Sequence, residues 1–165
     1  MASTSLFQVI TPNDPEQQPH YPTRSIFLAG PTEISWRAGF IAALRQRLTS
    51  TNITVFDPFQ PRWDGTWRED VDKDPRFAAQ VDWELAAQDT AATIAVFFHA
   101  DSKAPVSLLE LGLCARSGKA VVGCEPGYWK RGNVQAVCHR YGVPLADSLD
   151  GLVDLAAKKL RESKA

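Results

Sequence analysis

Residues 25–31 have the sequence SIFLAGP, a short apolar run that ends in a Gly-Pro turn. Such a run predicts a buried β-strand followed by a sharp change of direction. Three later runs are similar: ITVF at 53–56, TIAVFF at 93–98 and AVVGC at 120–124. Strands that are apolar on both faces are typical of a parallel sheet that helices cover on each side.

Segments with helical spacing of apolar residues alternate with these strands. The predicted helices span residues 36–48, 76–91, 107–117, 133–141 and 149–161, and shorter strands are predicted at 6–10 and 143–146. Together they predict an α/β fold, a doubly wound sandwich with a central, mostly parallel sheet of about five strands. In such folds the ligand binds at the carboxyl ends of the strands, near the point where the strand order reverses.

The length and composition fit one domain. The chain has 165 residues, of which 44% are hydrophobic and 22% charged. We assign residues 1–24 to an N-terminal extension and residues 25–165 to the domain. The formal net charge of −1 gives no general attraction to a nucleic acid polymer or an anionic membrane. Neither a secretory signal nor a membrane span is evident, which predicts a cytoplasmic protein.

Neither a metal nor an organic cofactor is expected. The cysteines at 114, 124 and 138 form no CxxC pair and are predicted to be buried thiols. The three histidines show no metal-ligand spacing. The phosphate-binding patterns GxGxxG and GxxxxGK(S/T) are absent.

The segment 104–112, APVSLLELG, is the most informative for chemistry. Ser107 followed three residues later by Glu110 fits a capping box, in which Glu110 only stabilises the start of a helix. The same position suits a nucleophile. A carboxylate in the first helical turn stays ionised, and at the end of a strand it can attack a sugar carbon with oxocarbenium character. Spacing alone leaves both interpretations open.

Five segments in this order resemble the nucleoside 2-deoxyribosyltransferase-like family. They are SIFLAGPT at 25–32, DPFQPRWDGTW at 57–67, QVDWE at 80–84, PVSLLELGLCARSGKAVV at 105–122 and GYWKRGNV at 127–134. The resemblance implies a flavodoxin-like fold and an enzyme that forms a covalent glycosyl intermediate on the glutamate of its ELG motif, here Glu110. The sugar is then released to a second base or, in relatives that hydrolyse nucleoside 5′-monophosphates, to water.

The resemblance also implies a second catalytic acid on the preceding helix, Glu84 or alternatively Asp82. One position departs from the family pattern. Six residues before Glu110, where transferases have Asp and the monophosphate hydrolases Ser, this chain has Ala104, and Asp101 and Ser102, slightly earlier in the chain, are the candidate substitutes. Transfer and hydrolysis therefore both stay open, as does a catalytically silent nucleotide-binding module.

Further candidates for substrate binding lie close to the predicted carboxyl ends of the strands. They are Gly30, Pro31, Arg62, Trp63, Trp67, Ser107, Trp129 and Asn133. The two tryptophans of the long loop can stack on a nucleobase or pack the loop onto the body. Arg62 can bond a base carbonyl or a phosphate, and Asn133 can contact a base edge or cap a helix.

The expected partner is a small nucleoside or nucleotide, not a nucleic acid polymer or a membrane. A carboxylate nucleophile and a nucleobase leaving group need no cofactor. The resemblance further implies a homo-oligomer, because a neighbouring subunit often completes the site in this family.

Overall fold

The computed structural model describes residues 6–163, which form six strands and five α-helices. The elements are β1 Phe7–Ile10, β2 Ser25–Ala29, α1 Arg37–Arg47, β3 Ile53–Phe56, α2 Pro75–Thr90, β4 Thr93–Phe98, α3 Pro105–Cys114, β5 Ala120–Cys124, α4 Arg131–Tyr141, β6 Leu145–Ala146 and α5 Leu149–Glu162. Residues 1–5 of the predicted extension and 164–165 of the predicted domain lie outside this range, and the division at residue 24 stays a prediction.

The six strands form one sheet in the order β1-β3-β2-β4-β5-β6, and every neighbouring pair is parallel. The predicted α/β fold is confirmed, with six strands instead of about five. The strand order reverses between β2 and β4. The pairing of these two strands runs from Ile26 opposite Thr93 to Ala29 opposite Val96. The carboxyl ends of these two strands therefore define the place where a ligand site is expected.

Helices cover both faces of the sheet, because successive strand residues point to opposite sides. One side is packed by α2, α3 and α4, with buried residues that include Phe27, Phe56, Phe98, Leu111 and Val134. The other side is packed by α1 and α5, with buried residues that include Ile26, Leu28, Phe40, Val55 and Leu152. Each such side chain contributes roughly 1.5–3 kcal/mol when fully buried, which offsets the cost of placing polar groups inside the molecule.

The turn after β2 is shaped by a close contact between Gly30 and Trp36. A Cβ atom on Gly30 would lie 2.5 Å from the Trp36 ring and 3.1 Å from the carbonyl oxygen of Phe97. The Trp36 indole nitrogen also donates a hydrogen bond to the carbonyl oxygen of Pro31 at 3.0 Å. Only glycine leaves room for this contact, which fixes the turn at the carboxyl end of β2.

Two helices begin two residues earlier than the sequence predicts. Helix α3 begins at Pro105, a residue suited to the first helical position because its φ is already helical. Ala104 precedes it with a φ of 43°, in the left-handed region. Ser107 is therefore inside the first turn, and the predicted capping box is wrong. Helix α4 begins at Arg131, so Asn133 lies within it and does not cap it.

Within the described residues, no helix has both the length and the apolar character needed to cross a membrane.

Candidate active site

Glu110 lies on the inner face of α3 and is only 8% exposed. Its Oε1 atom accepts a hydrogen bond from Nε2 of Gln88, on α2, at 3.0 Å. No hydrogen bond from residues 6–163 reaches its Oε2 atom. The carboxyl group is thus held at one oxygen and unengaged at the other, which is the arrangement that a nucleophile needs.

The protein interior favours the protonated form of Glu110. Burial raises the pKa of this carboxyl to about 8, and the negative charge of Glu84 adds to the increase. The positive charge of Arg37 and the hydrogen bond from Gln88 act in the opposite direction. The expectation of a first-turn carboxylate that the helix dipole keeps ionised is wrong, because Glu110 lies in the second turn of α3 and away from solvent.

Three polar side chains of α2 stand in a row at four-residue spacing, which places them on one face of the helix. They are Gln80, Glu84 and Gln88. Nε2 of Gln80 donates to Oε1 of Glu84 at 2.8 Å and to the carbonyl oxygen of Pro58 at 2.9 Å. Burial raises the pKa of Glu84, while the hydrogen bond from Gln80 and the charge of Arg37 oppose the shift. In this row the carboxyl of Glu84 lies between the amides of Gln80 and Gln88, on the side of α2 that faces Glu110.

Asp82, the alternative second acid, is exposed on α2. Its spacing from Glu84 is two residues, and residues two apart on a helix do not share a face. The geometry therefore favours Glu84 over Asp82 as the acid beside Glu110.

Arg37 is a buried cation that the sequence analysis did not identify. It is 7% exposed and lies in the first turn of α1. Its guanidinium donates to the carbonyl oxygens of Gly30 at 2.9 Å and Pro31 at 3.0 Å, and its Nε atom lies 3.7 Å from Oδ1 of Asp57. The spacing of residues in α1 is the one sequence feature that indicates burial of Arg37. It precedes Phe40 by three residues and Leu44 by seven, which places it on the apolar face of the helix.

The predicted base-stacking tryptophans have partners within the chain. The rings of Trp63 and Trp67 stack on each other with centroids 5.1 Å apart and planes 15° apart. Phe77 packs edge-on against Trp63, and the guanidinium of Arg76 lies 5.2 Å from the centre of the Trp67 ring. The geometry agrees with the simpler interpretation, in which the pair packs the loop onto α2. Stacking on a base stays a prediction.

Arg62 is exposed on the same loop, at an open cavity of about 490 Å³. The cavity lies between residues 12–15 and the loop, and Gln60 and Trp67 also line it. Nε2 of Gln60 donates a hydrogen bond to Oε1 of Gln80 at 3.4 Å. This contact links the cavity to the row on α2.

The other predicted site residues occupy different surroundings. Ser107 is buried in the first turn of α3, whereas Asp101 and Asn133 are exposed. Trp129 is 49% exposed, and its indole nitrogen donates a hydrogen bond to the carbonyl oxygen of Lys103 at 2.9 Å. The ammonium groups of Lys103 and Lys130 each lie 4.6 Å from the centre of a Trp129 ring. Their roles in substrate binding stay predictions.

The described part of the chain holds no group of three or more His, Cys, Asp or Glu side chains arranged to bind a metal ion. The three cysteines are free and buried. Burial raises the pKa of the Cys114 and Cys138 thiols to about 11, so neither forms a reactive thiolate at neutral pH.

Taken together, the fold and this site define an α/β protein with a buried carboxyl group, that of Glu110, and a half-buried one, that of Glu84, near the reversal of strand order. Comparison with known proteins agrees with that class. The model of the family described as "Nucleoside 2-deoxyribosyltransferase like" matches residues 23–128, which is more than half of the chain. The chain belongs to this family.

Among solved structures, a similar fold is that of a conserved protein from Enterococcus faecalis. It superposes with a TM-score of 0.55 and 12% sequence identity, over 82% of this chain and 98% of that one. At this identity the match supports the fold alone. No curated protein sequence matches this chain significantly.

Proposed function

We propose that this protein cleaves or exchanges the N-glycosidic bond of a nucleoside or nucleotide, with Glu110 as the nucleophile. The observation that supports this most is the position of Glu110. It is buried near the strand reversal, oriented at one oxygen by Gln88, and paired with a second carboxyl, Glu84.

In the proposed reaction the two carboxyl groups share one proton. Burial favours the proton on Glu110 in the free protein, so the reactive form is the less populated one, in which Glu110 is ionised and Glu84 carries the proton. An oxygen of Glu110 forms a bond to C1′ while the bond from C1′ to the base nitrogen breaks. The electron pair of that bond goes to the base, which takes the proton from Glu84. A second base or a water molecule then attacks C1′, returns a proton to Glu84 and frees the carboxylate of Glu110.

The test is a mass-spectrometric screen of nucleosides and nucleoside 5′-monophosphates for released base, with and without an added second base. Glu110→Ala and Glu110→Gln should lose nearly all activity and keep the fold, as judged by circular dichroism. Glu84→Gln should lose much of it, whereas Asp82→Asn, a matched change on the exposed face of α2, should keep it. Activity of Glu110→Gln within a factor of a few of the wild type would refute the assignment.

Hydrolysis is the second candidate, and Ala104 leaves it open beside transfer. This buried residue, six before Glu110, is neither the Asp that the resemblance implies for transferases nor the Ser that it implies for the monophosphate hydrolases. Base exchange without net release of free sugar would identify a transferase, and free sugar a hydrolase. Binding of a nucleotide with no turnover would identify a silent binding module.

The outer face of α3 supports self-association. Glu110 is the one charged residue of this helix and is buried, whereas Val106, Leu109 and Leu113 are 59%, 66% and 61% exposed. An exposed apolar helix face is typical of an interface, and we propose that it pairs with a second copy of the chain. Light scattering after size exclusion should give a multiple of the 18.2 kDa chain mass, and Leu109→Glu should give the monomer.

A further inference from the structure

The carbonyl oxygens at the end of α2 accept hydrogen bonds from another element. The last turn of α2, residues 87–90, contains no basic side chain, although cations favour the carboxyl end of a helix. In the described part of the chain, no backbone N–H donates to the carbonyl oxygens of Gln88 and Asp89. The donor is Lys119, just before β5. Its Nζ atom lies 2.8 Å from the carbonyl oxygen of Asp89 and 3.4 Å from that of Gln88. One ammonium group therefore caps the turn of α2 that carries Gln88.

The backbone of Lys119 is itself fixed to the end of α3. Its nitrogen donates to Oγ of Ser117 at 3.1 Å, and that hydroxyl donates to the carbonyl oxygen of Cys114, the last residue of α3, at 2.6 Å. Gly118, with a φ of 75°, makes the turn before Lys119. The carbonyl oxygen of Lys119 accepts from the backbone nitrogen of Ile94 at 3.0 Å, which joins the turn to β4. The side chain of Lys119 therefore extends to α2 from a fixed base.

These contacts close a ring through the two helices of the candidate site. Glu110 and Cys114 are one turn apart on α3, and Gln88 and Asp89 are adjacent on α2. The hydrogen bond from Gln88 to Glu110 joins the helices at one point. Lys119 joins them at a second point. Two links resist a movement of the helix end that a single link would permit, and hydrogen bonds of this supporting kind keep a site side chain in one conformation.

We propose that Lys119 is a positioning residue, which holds the last turn of α2 against the end of α3 and so keeps the amide of Gln88 on the carboxyl of Glu110. Its part in catalysis rests on the proposed function, whereas its hold on Gln88 does not. Lys119 acts on the reaction through Gln88 and not by contact with the substrate.

Four substitutions separate this role from general stabilisation. Lys119→Met removes both bonds to α2 with little change of volume, and Lys119→Arg keeps donors for the two carbonyl oxygens. Lys158→Met is the matched control, because Lys158 is exposed on α5. Ser148→Ala is the control for stability, since it removes the cap of α5 and leaves both helices of the site unchanged.

The experiment is a nitrogen-15 NMR measurement of the side-chain amide of Gln88, assigned by its loss in Gln88→Met. In Lys119→Met the amide protons should exchange with water about tenfold faster than in the wild type or more, because the bond to Glu110 opens more often. Lys119→Arg, Lys158→Met and Ser148→Ala should stay within a factor of about two. An unchanged exchange rate in folded Lys119→Met, or an equal increase in Lys119→Arg or Ser148→Ala, overturns the proposal.

A second variant loosens the same turn from the side of α3. Ser117→Ala removes the hydroxyl that holds the backbone of Lys119. It should raise the exchange rate of the Gln88 amide too, by a smaller factor than Lys119→Met. If Lys119→Met does not fold, an unchanged rate in Ser117→Ala overturns the proposal.

If the protein is active, a double-mutant cycle distinguishes positioning from general stabilisation. Lys119→Met should lower kcat/KM, and the double variant Gln88→Met/Lys119→Met should have the kcat/KM of Gln88→Met alone, because Lys119 acts through Gln88. Losses that multiply in the double variant overturn the proposal. If no nucleoside or nucleotide is turned over, the proposed function fails, while the exchange rate of the Gln88 amide still decides the role of Lys119.

Discussion

Nε2 of Gln88 and Oε1 of Glu110 lie 3.0 Å apart and join two helices, α2 and α3, that are separated in the chain by β4. Gln88 is 6% exposed, so this bond forms away from water. Its effect is to hold one oxygen of the carboxyl against α2 and leave the other available. In the proposed reaction, this bond would set the direction from which Glu110 attacks the substrate.

Removal of this donor should reduce catalysis. Gln88→Met keeps a side chain of similar volume and leaves the carboxyl of Glu110 without its partner. A hydrogen bond to a charged group contributes about 1.5–3 kcal/mol, so kcat/KM should fall roughly 10- to 100-fold. Steady-state kinetics measure this, and Gln46→Met, an exposed change on α1, should have no effect. An unchanged kcat/KM in Gln88→Met would remove Gln88 from the site.

The buried carboxyl of Glu110 should make stability depend on pH. Its pKa is about 8 in the folded protein and near the ordinary 4.5 in the unfolded chain, so the folded state binds the proton more tightly. The free energy of unfolding should therefore fall as pH rises between these values, by about 1.4 kcal/mol per pH unit at most. Urea denaturation from pH 5 to 8 should show the decline in the wild type and a smaller one in Glu110→Gln. Equal slopes would contradict the raised pKa.

Two glycine substitutions should have opposite effects on stability. Gly30→Ala places a methyl group against the Trp36 ring and should lower the free energy of unfolding by about 1–3 kcal/mol. Gly39→Ala lies within α1, where a Cβ meets nothing within 4 Å, and should raise it by about 0.5–1 kcal/mol. Thermal denaturation of both variants measures the difference. A stable Gly30→Ala would mean that the indole can move.

Asp74 should order the long loop before α2. Its side chain caps α2 by accepting from the backbone nitrogen of Arg76 at 3.0 Å, and it accepts from the backbone nitrogen of Arg68 at 2.9 Å. The Arg76 guanidinium, together with these backbone bonds, holds the pKa of this carboxyl well below its usual range. Because the folded pKa is lowered, the stabilisation is present above the ordinary aspartate pKa and is lost as pH falls below it.

Asp74→Ala should accordingly lower the Tm at neutral pH and weaken the near-ultraviolet dichroism of the stacked Trp63 and Trp67. Limited proteolysis should cut the loop faster in this variant. Asp72→Ala, an exposed acid on the same loop, should match the wild type in both measurements. A loss of loop order in Asp72→Ala as large as in Asp74→Ala would contradict the role of the cap.

The sequence located the four central strands to the residue because each is an uninterrupted apolar run buried on both faces. The predicted helix ends were less accurate, because a helix can begin with any of several local residue patterns. The spacing of Ser107 and Glu110 matched one such pattern, a capping box. Helix α3 instead begins at Pro105, after Ala104 in a left-handed conformation. The short edge strands were also predicted, at 6–10 and 143–146, although the total of about five was one too low and β6 has only two residues.

Within the site, Glu110 and Glu84 were identified from the family resemblance. Arg37, Gln80 and Gln88 were not, because partners of buried polar groups depend on how helices pack across the sheet. The spacing of Gln80 and Gln88 around Glu84 was visible in the sequence, but polar residues four apart on a helix are usually solvated.

The row on α2 also restricts how this protein can change in length. Each inserted or deleted residue between Gln80 and Gln88 rotates the rest of the helix by about 100°, so a single such event would turn Gln88 away from Glu110. Insertions in the 57–75 loop before Asp74 leave that rotation unchanged. Related chains that keep this chemistry should therefore vary in loop length before α2 and conserve the eight-residue interval within it.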